Sequence, residues 1–169
     1  MNSFAQQDVL AACEFYGDQL AVTAPLDGVK VMIAIAAVES GGGDVKFIGN
    51  DCGPRHEPAY EANGAAWAQK AMAPLLAVYP PIGAPPQSPA ACSYGPWQMM
   101  FCNFVSATPA ELESNLDLCA RNFLRFFNAY VIGSQKAKTL ADIGEVWNMG
   151  HKGPDPAYVA KLQIAYDAA

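Results

Sequence analysis

Residues 31–43 read V-M-I-A-I-A-A-V-E-S-G-G-G. Eight apolar residues in a row, Val31 to Val38, end on a carboxylate, Glu39, and Gly41-Gly42-Gly43 closes the segment. A helix that is apolar on every side is buried on every side. The stretch therefore predicts a central buried helix, starting after Thr23-Ala24-Pro25 and running to about Ser40, with the cap residue and early proline of a helix start. Glu39 then sits at its C-terminal end, where low dielectric and the negative end of the helix dipole both disfavour ionisation. A carboxyl that keeps its proton towards neutral pH is what a general acid requires. The competing reading leaves Glu39 in water at a helix end.

The remaining sequence fits one mainly α domain around that helix. At 169 residues, 52% hydrophobic and 15% charged, the chain has a globular composition and enough length for a sizeable core. The net charge is −6 and the pI about 4.7, and the ten Lys and Arg are scattered. A nucleic-acid partner calls for a basic stripe, which is missing. The longest apolar run falls short of the ~20 residues of a membrane span, so no membrane insertion is expected. No basic segment leads into an apolar one at the N-terminus, so no secretory signal is read there. The expectation is a protein made in the cytoplasm, or one whose signal has been removed.

Helices are expected over 5–21, with Val9, Leu10, Cys13 and Leu20 inward, and over 59–79, with Trp67, Met72, Leu75 and Leu76. The polar, turn-rich stretch 44–58 leaves room for a short β-hairpin, and the prolines of 79–89 make a loop. A short helix is expected over Pro96–Phe104. Thr108-Pro109-Ala110-Glu111 is a capping box, and the spacing of Leu112, Leu116, Cys119, Phe123, Phe126, Phe127 and Tyr130 predicts one long helix to about 132. Thr139 to Asp142 repeats the cap pattern, and Asp155-Pro156 opens a final helix to about 168.

Of the five cysteines, Cys119 falls on an apolar helix face, and Cys52 and Cys92 flank a long loop region and are the pair open to a disulfide. No C-x-x-C occurs and the histidines are two, His56 and His151, so a structural zinc site is not expected.

Three further motifs follow Glu39-Ser40 in order: Ser93-Tyr94-Gly95-Pro96-Trp97-Gln98-Met99-Met100, then Val146-Trp147-Asn148-Met149-Gly150, then Ala157-Tyr158-Val159-Ala160-Lys161-Leu162. With Glu39-Ser40 they resemble the lysozyme-like superfamily, in particular the soluble lytic transglycosylases and goose-type lysozymes. Those proteins carry E-S at the end of a buried helix, then G-L-M-Q, then A-Y-N-A-G, then a Tyr-Val helix. The resemblance covers about residues 25–168 and implies a single lysozyme-like domain. It implies a peptidoglycan-degrading glycosidase that cleaves the β-1,4 bond between N-acetylmuramic acid and N-acetylglucosamine without a cofactor.

In that likeness Glu39 is the general acid and Ser40 positions substrate or acid. Gln98 hydrogen-bonds in the cleft, Met99 packs beside the glutamate, Asn148 faces the sugar N-acetyl group and Tyr158 lines the groove. Amides suit such a role because each both donates and accepts; the plainer reading of Gln98 and Asn148 is that they tie helix ends together. Trp147 replaces the family tyrosine and is either a sugar platform or core. More than fifty residues separate E-S from the glutamine motif, where the transglycosylases have few.

Within that insertion Arg55-His56-Glu57-Pro58 resembles an R-F-E-like stretch of phage-type N-acetylmuramidases, which precedes S-W-G-x-x-Q-x-M. Glu57 is thus a second carboxylate candidate, with Asp44 and Asp51 as rivals. His56 reads as a loop contact, and His151 as a residue near the groove. Hydrolases commonly use two carboxyls, whereas a transglycosylase manages with one. An acidic protein without a signal fits a phage endolysin or virion-associated wall-degrading protein, held near the glycan strands by other phage or secretion components. Two other classes stand beside this: a non-catalytic glycan-binding or structural phage protein using Trp97, Trp147 and the tyrosines, and, poorly, a cysteine hydrolase using Cys52 or Cys92.

Overall fold

The computed structural model describes residues 3–169. It is mainly helical, with a small three-stranded antiparallel sheet. The 31–43 stretch forms the spine as expected: α2 (Gly28–Ser40) has Val31 to Ala37 all buried. Its cap is Asp27, whose side chain accepts from the Lys30 N–H. Thr23 and Pro25 lie in the preceding turn instead, because Asp27 is the last extended residue with a side-chain oxygen in reach of the free N–H groups.

Two helices sandwich α2: α1 (Gln6–Gly17), which buries Val9 and Cys13, and the C-terminal α7 (Pro156–Ala168). The Asp27 N–H donates to the Tyr166 hydroxyl at one end of α2, and Tyr158 reaches Glu39 at the other. So α7 runs antiparallel to α2, and its tyrosines mark both ends.

The sheet comprises β1 (Arg55–His56), β2 (Cys92–Tyr94) and β3 (Met99–Met100), in that order, with Arg55 opposite Ser93 and Ser93 opposite Met100. The hairpin expected within 44–58 is thus elsewhere. Only β1 comes from that stretch, and it pairs across the chain with β2, a contact no local pattern announces. Nor is 96–104 a helix. Gly95 takes φ +75°, where a Cβ would lie 2.9 Å from Cys119 Sγ, and the chain reverses into β3 before a single 3₁₀ turn, Phe101–Asn103.

Beyond the 3₁₀ turn Pro58–Tyr60, α3 (Ala66–Val78) follows. Met72 is buried there, while Trp67 is 69% exposed. The expected long helix over 109–132 breaks. The Thr108–Glu111 capping box starts only α4 (Pro109–Leu112). Asn115, in an extended conformation, recaps the chain for α5 (Leu116–Phe126) by accepting from the Leu118 N–H. Apolar spacing runs straight through the break, so periodicity alone hides it. Residues Phe127–Ser134 then widen into a π-helical turn, closed by the Gln135 N–H on the Tyr130 carbonyl. Finally α6 (Leu140–Met149) opens on the Thr139–Asp142 capping box and stops at Gly150. All five cysteines are free thiols, so the Cys52–Cys92 pairing is not formed. Among the described residues no helix is long and apolar enough to cross a membrane.

Candidate functional site

A groove of about 810 Å³ runs across the molecule above the end of α2. Glu39 lies in it, Arg55, Glu57, Tyr60 and Trp67 form one side with Ser93 and Met100, and Phe126, Tyr130, Trp147, Asn148 and His151 form the other. Strand alternation sorts the first side. Arg55, Ser93 and Met100 stand in one cross-strand row, and Glu57, two residues after Arg55, shares its face. His56 points the other way and pairs with Glu61, its Nε2 2.9 Å from Oε1.

Glu39 is shielded: its side chain is 12% exposed. Its Oε1 accepts from the Tyr158 hydroxyl at 2.7 Å, and Oε2 lies 3.4 Å from an Arg55 guanidinium nitrogen. The other Arg55 nitrogen donates to the Glu39 main-chain carbonyl at 2.8 Å, one of the unpaired carbonyls of the helix end. Burial pushes the Glu39 carboxyl above its ordinary range. The Tyr158 bond and the Arg55 charge pull it back, the Glu57 charge adds to the rise, and the net direction is upward. Tyr158 is itself held far above the usual phenol range, by burial first and then by the Glu39 charge, so it stays a donor.

Glu57 terminates β1, its N–H bound to the Ala91 carbonyl. Its Oε1 sits 3.4 Å from Ser93 Oγ, but that hydroxyl has one hydrogen and its shortest partner is Gln98 Oε1 at 2.9 Å. The Glu57 carboxylate is therefore only weakly engaged, and it faces the groove. The rivals fall away. Asp44 caps the turn at Lys46 and Asp51 is exposed, and neither lines the groove.

Gln98 and Met99 line the groove from the β2–β3 turn, but Gln98 is 9% exposed and both its amide hydrogens are committed, to the Gly53 and Gly95 carbonyls. It also adopts φ +44°, the left-handed region that a side chain enters at a cost. Its first task is holding the turn, and only its oxygen has a lone pair to spare. Asn148 is exposed in the groove with its Nδ2 on Asp155 Oδ2 at 2.5 Å. Trp147 is both platform and packing, for it lines the groove while its ring lies 5.0 Å from Phe123 and 6.0 Å from Phe126.

Two expected substrate contacts are turned inward. Ser40 is 2% exposed: its hydroxyl donates to the Ala36 carbonyl and accepts from the Gly49 N–H, tying the helix end to the next loop. Tyr158 is buried behind the carboxylate and does not line the groove. Both position Glu39 from the protein side. Trp97 is 1% exposed, its indole N–H donating to the Met32 carbonyl, so it offers no sugar platform.

Sequence reading missed Tyr60, Trp67, Ser93, Phe126 and Tyr130 as groove residues. Aromatics at helical spacing look like core, and only the assembled walls separate the two roles. Among the described residues no group of three or more His, Cys, Asp or Glu is placed to hold a metal ion. No family model, curated protein or solved structure matches the chain.

Proposed function

We propose that the protein is a peptidoglycan-cleaving glycosidase of the lysozyme-like kind, acting on the β-1,4 bond between N-acetylmuramic acid and N-acetylglucosamine. The observation that carries this reading is Glu39: a groove carboxyl at the end of a buried helix, held by Tyr158 and raised above the ordinary carboxylate range by burial. Glu39 protonates the bridging oxygen as the C1–O bond breaks. Positive charge develops at the sugar C1. The weakly engaged Glu57 on the adjacent wall supports hydrolysis, in which water adds to C1 and gives up its proton to that carboxylate. In the transglycosylase variant the substrate's own 6-hydroxyl closes on C1 and returns a proton to Glu39, and Glu57 is a bystander. A place in phage release, or in a virion-associated or secretion-linked assembly, fits an acidic protein whose access to the wall is arranged by others.

Mass spectrometry of digested peptidoglycan tests activity and chemistry together. Reducing ends, lost in both Glu39→Gln and Glu57→Gln with native circular dichroism, are the expected result. 1,6-Anhydromuramic ends with an active Glu57→Gln would assign the transglycosylase variant. Full wall clearing by Glu39→Gln would refute the assignment of the acid. Glycan binding without any turnover by the wild type would favour a non-catalytic glycan-binding protein.

A further inference from the structure

We infer that Trp67 and Tyr60 form a sugar-stacking subsite for the glycan strand, built by the insertion between the acid and the glutamine motif. The inference rests on the glycosidase reading and extends it to residues with no assigned role.

Trp67 is the second residue of α3 and is 69% exposed, yet it is no stray surface aromatic. It lines the groove that holds Glu39, and its ring meets that of Tyr60 edge to face, centroids 5.2 Å apart at 89°. Tyr60 ends the 3₁₀ turn that begins right after Glu57, roughly 6 Å along it at ~2.0 Å per residue. Burial raises the Tyr60 phenol above its ordinary range, and the nearby Cys102, Glu57 and Tyr130 act in the same direction.

The pair is also fixed in place. The Ala65 N–H donates to the Ala59 carbonyl at 2.8 Å, and Gln69 Nε2 donates to the Glu61 carbonyl at 2.8 Å, clamping the start of α3 onto the turn. Gly64 permits the approach, since a Cβ there would lie 2.2 Å from the Ala59 carbonyl oxygen. An aromatic that is largely in water, braced by a second ring and carried on a clamped turn, presents apolar surface at little ordering cost on binding. A β-linked N-acetylhexosamine offers the complement, a ring face of C–H groups with hydroxyl and acetamido groups at the rim. Asn103, also in the groove, supplies an amide for that rim.

The test uses the full chain carrying Glu39→Gln, so that substrate survives, with the N-acetylglucosamine hexasaccharide as probe. Trp67→Ala in that background is expected to weaken binding about tenfold, and Trp67→Phe to restore most of it. Trp67, the most exposed of the three tryptophans, should shift its emission to the blue on binding, and Trp67→Phe should lose that shift. Trp67→Ala with parental affinity, or no emission shift, would overturn the subsite while leaving Glu39 and the glycosidase reading standing. No hexasaccharide binding by the parent, together with no peptidoglycan cleavage by the wild type, would overturn both.

Discussion

Removing the Tyr158 hydroxyl changes the carboxyl of Glu39 without touching the groove lining. Tyr158→Phe keeps the buried ring and deletes the 2.7 Å bond to Glu39 Oε1. A hydrogen bond to a charged group contributes about 1.5–3 kcal/mol in favour of the charged form. Each 1.36 kcal/mol moves a titration by about one pH unit. Losing the bond disfavours the carboxylate, so Glu39 holds its proton to higher pH. If Glu39 acts as a general acid, activity persists while it is protonated, and the alkaline limb of the pH profile should move up by about one to two units. Arg55 stays on Oε2, 3.4 Å away, and should keep the shift towards the lower end. A more tightly held proton is also a poorer one to donate, so turnover at the optimum should fall. The assay is initial-rate clearing of purified peptidoglycan across pH, with carboxyl-carbon NMR of Glu39 as a readout independent of turnover. A limb that stays put or moves to lower pH, with Glu39 still essential, would refute the reasoning.

Glu39 also predicts a pH-dependent stability. Below the ordinary carboxylate range both folded and unfolded chains hold the proton and the group contributes nothing. Between that range and the raised folded value the unfolded chain releases the proton first, so stability falls as pH rises. Glu39→Gln should therefore raise the urea midpoint at neutral pH and leave it unchanged in strong acid; a lower midpoint at neutral pH would count against a desolvated acid. The thiols give a further test. Burial pushes Cys52 and Cys92 up to about 11 and Cys119 up to about 12, and also raises Cys13 and Cys102. Since the thiolate is the reactive form, iodoacetamide at neutral pH should label the native protein slowly and leave activity intact, with all five thiols reacting after unfolding. Rapid inactivation would revive a cysteine nucleophile.

What was legible in the sequence was local. The apolar run of α2, the glycines that stop it, the capping boxes at Thr108 and Thr139 and the Asp155-Pro156 start are each decided within a few residues. What was hidden depends on partners far along the chain. The 96–104 segment looks helical until Trp97 is seen reaching the Met32 carbonyl and Met99–Met100 pairing with β2. Asn115 breaks a helix whose apolar spacing never falters. The site divides in the same way. Glu39 stands out because a carboxylate on a buried helix end is anomalous by itself. The inward turn of Ser40 and Tyr158 and the outward one of Trp67 depend on which neighbours the fold brings up.

The indole bond from Trp97 to Met32 has a mechanical consequence. It rivets the turn that carries Gln98 to the helix that carries Glu39, through two residues shut off from water. Spacing between Glu39 and that turn is thereby fixed without the segment bearing Tyr60 and Trp67. On the glycosidase reading, changes of length or sequence in the outer segment should alter how much of a glycan strand is held, and leave the surroundings of Glu39 as they were.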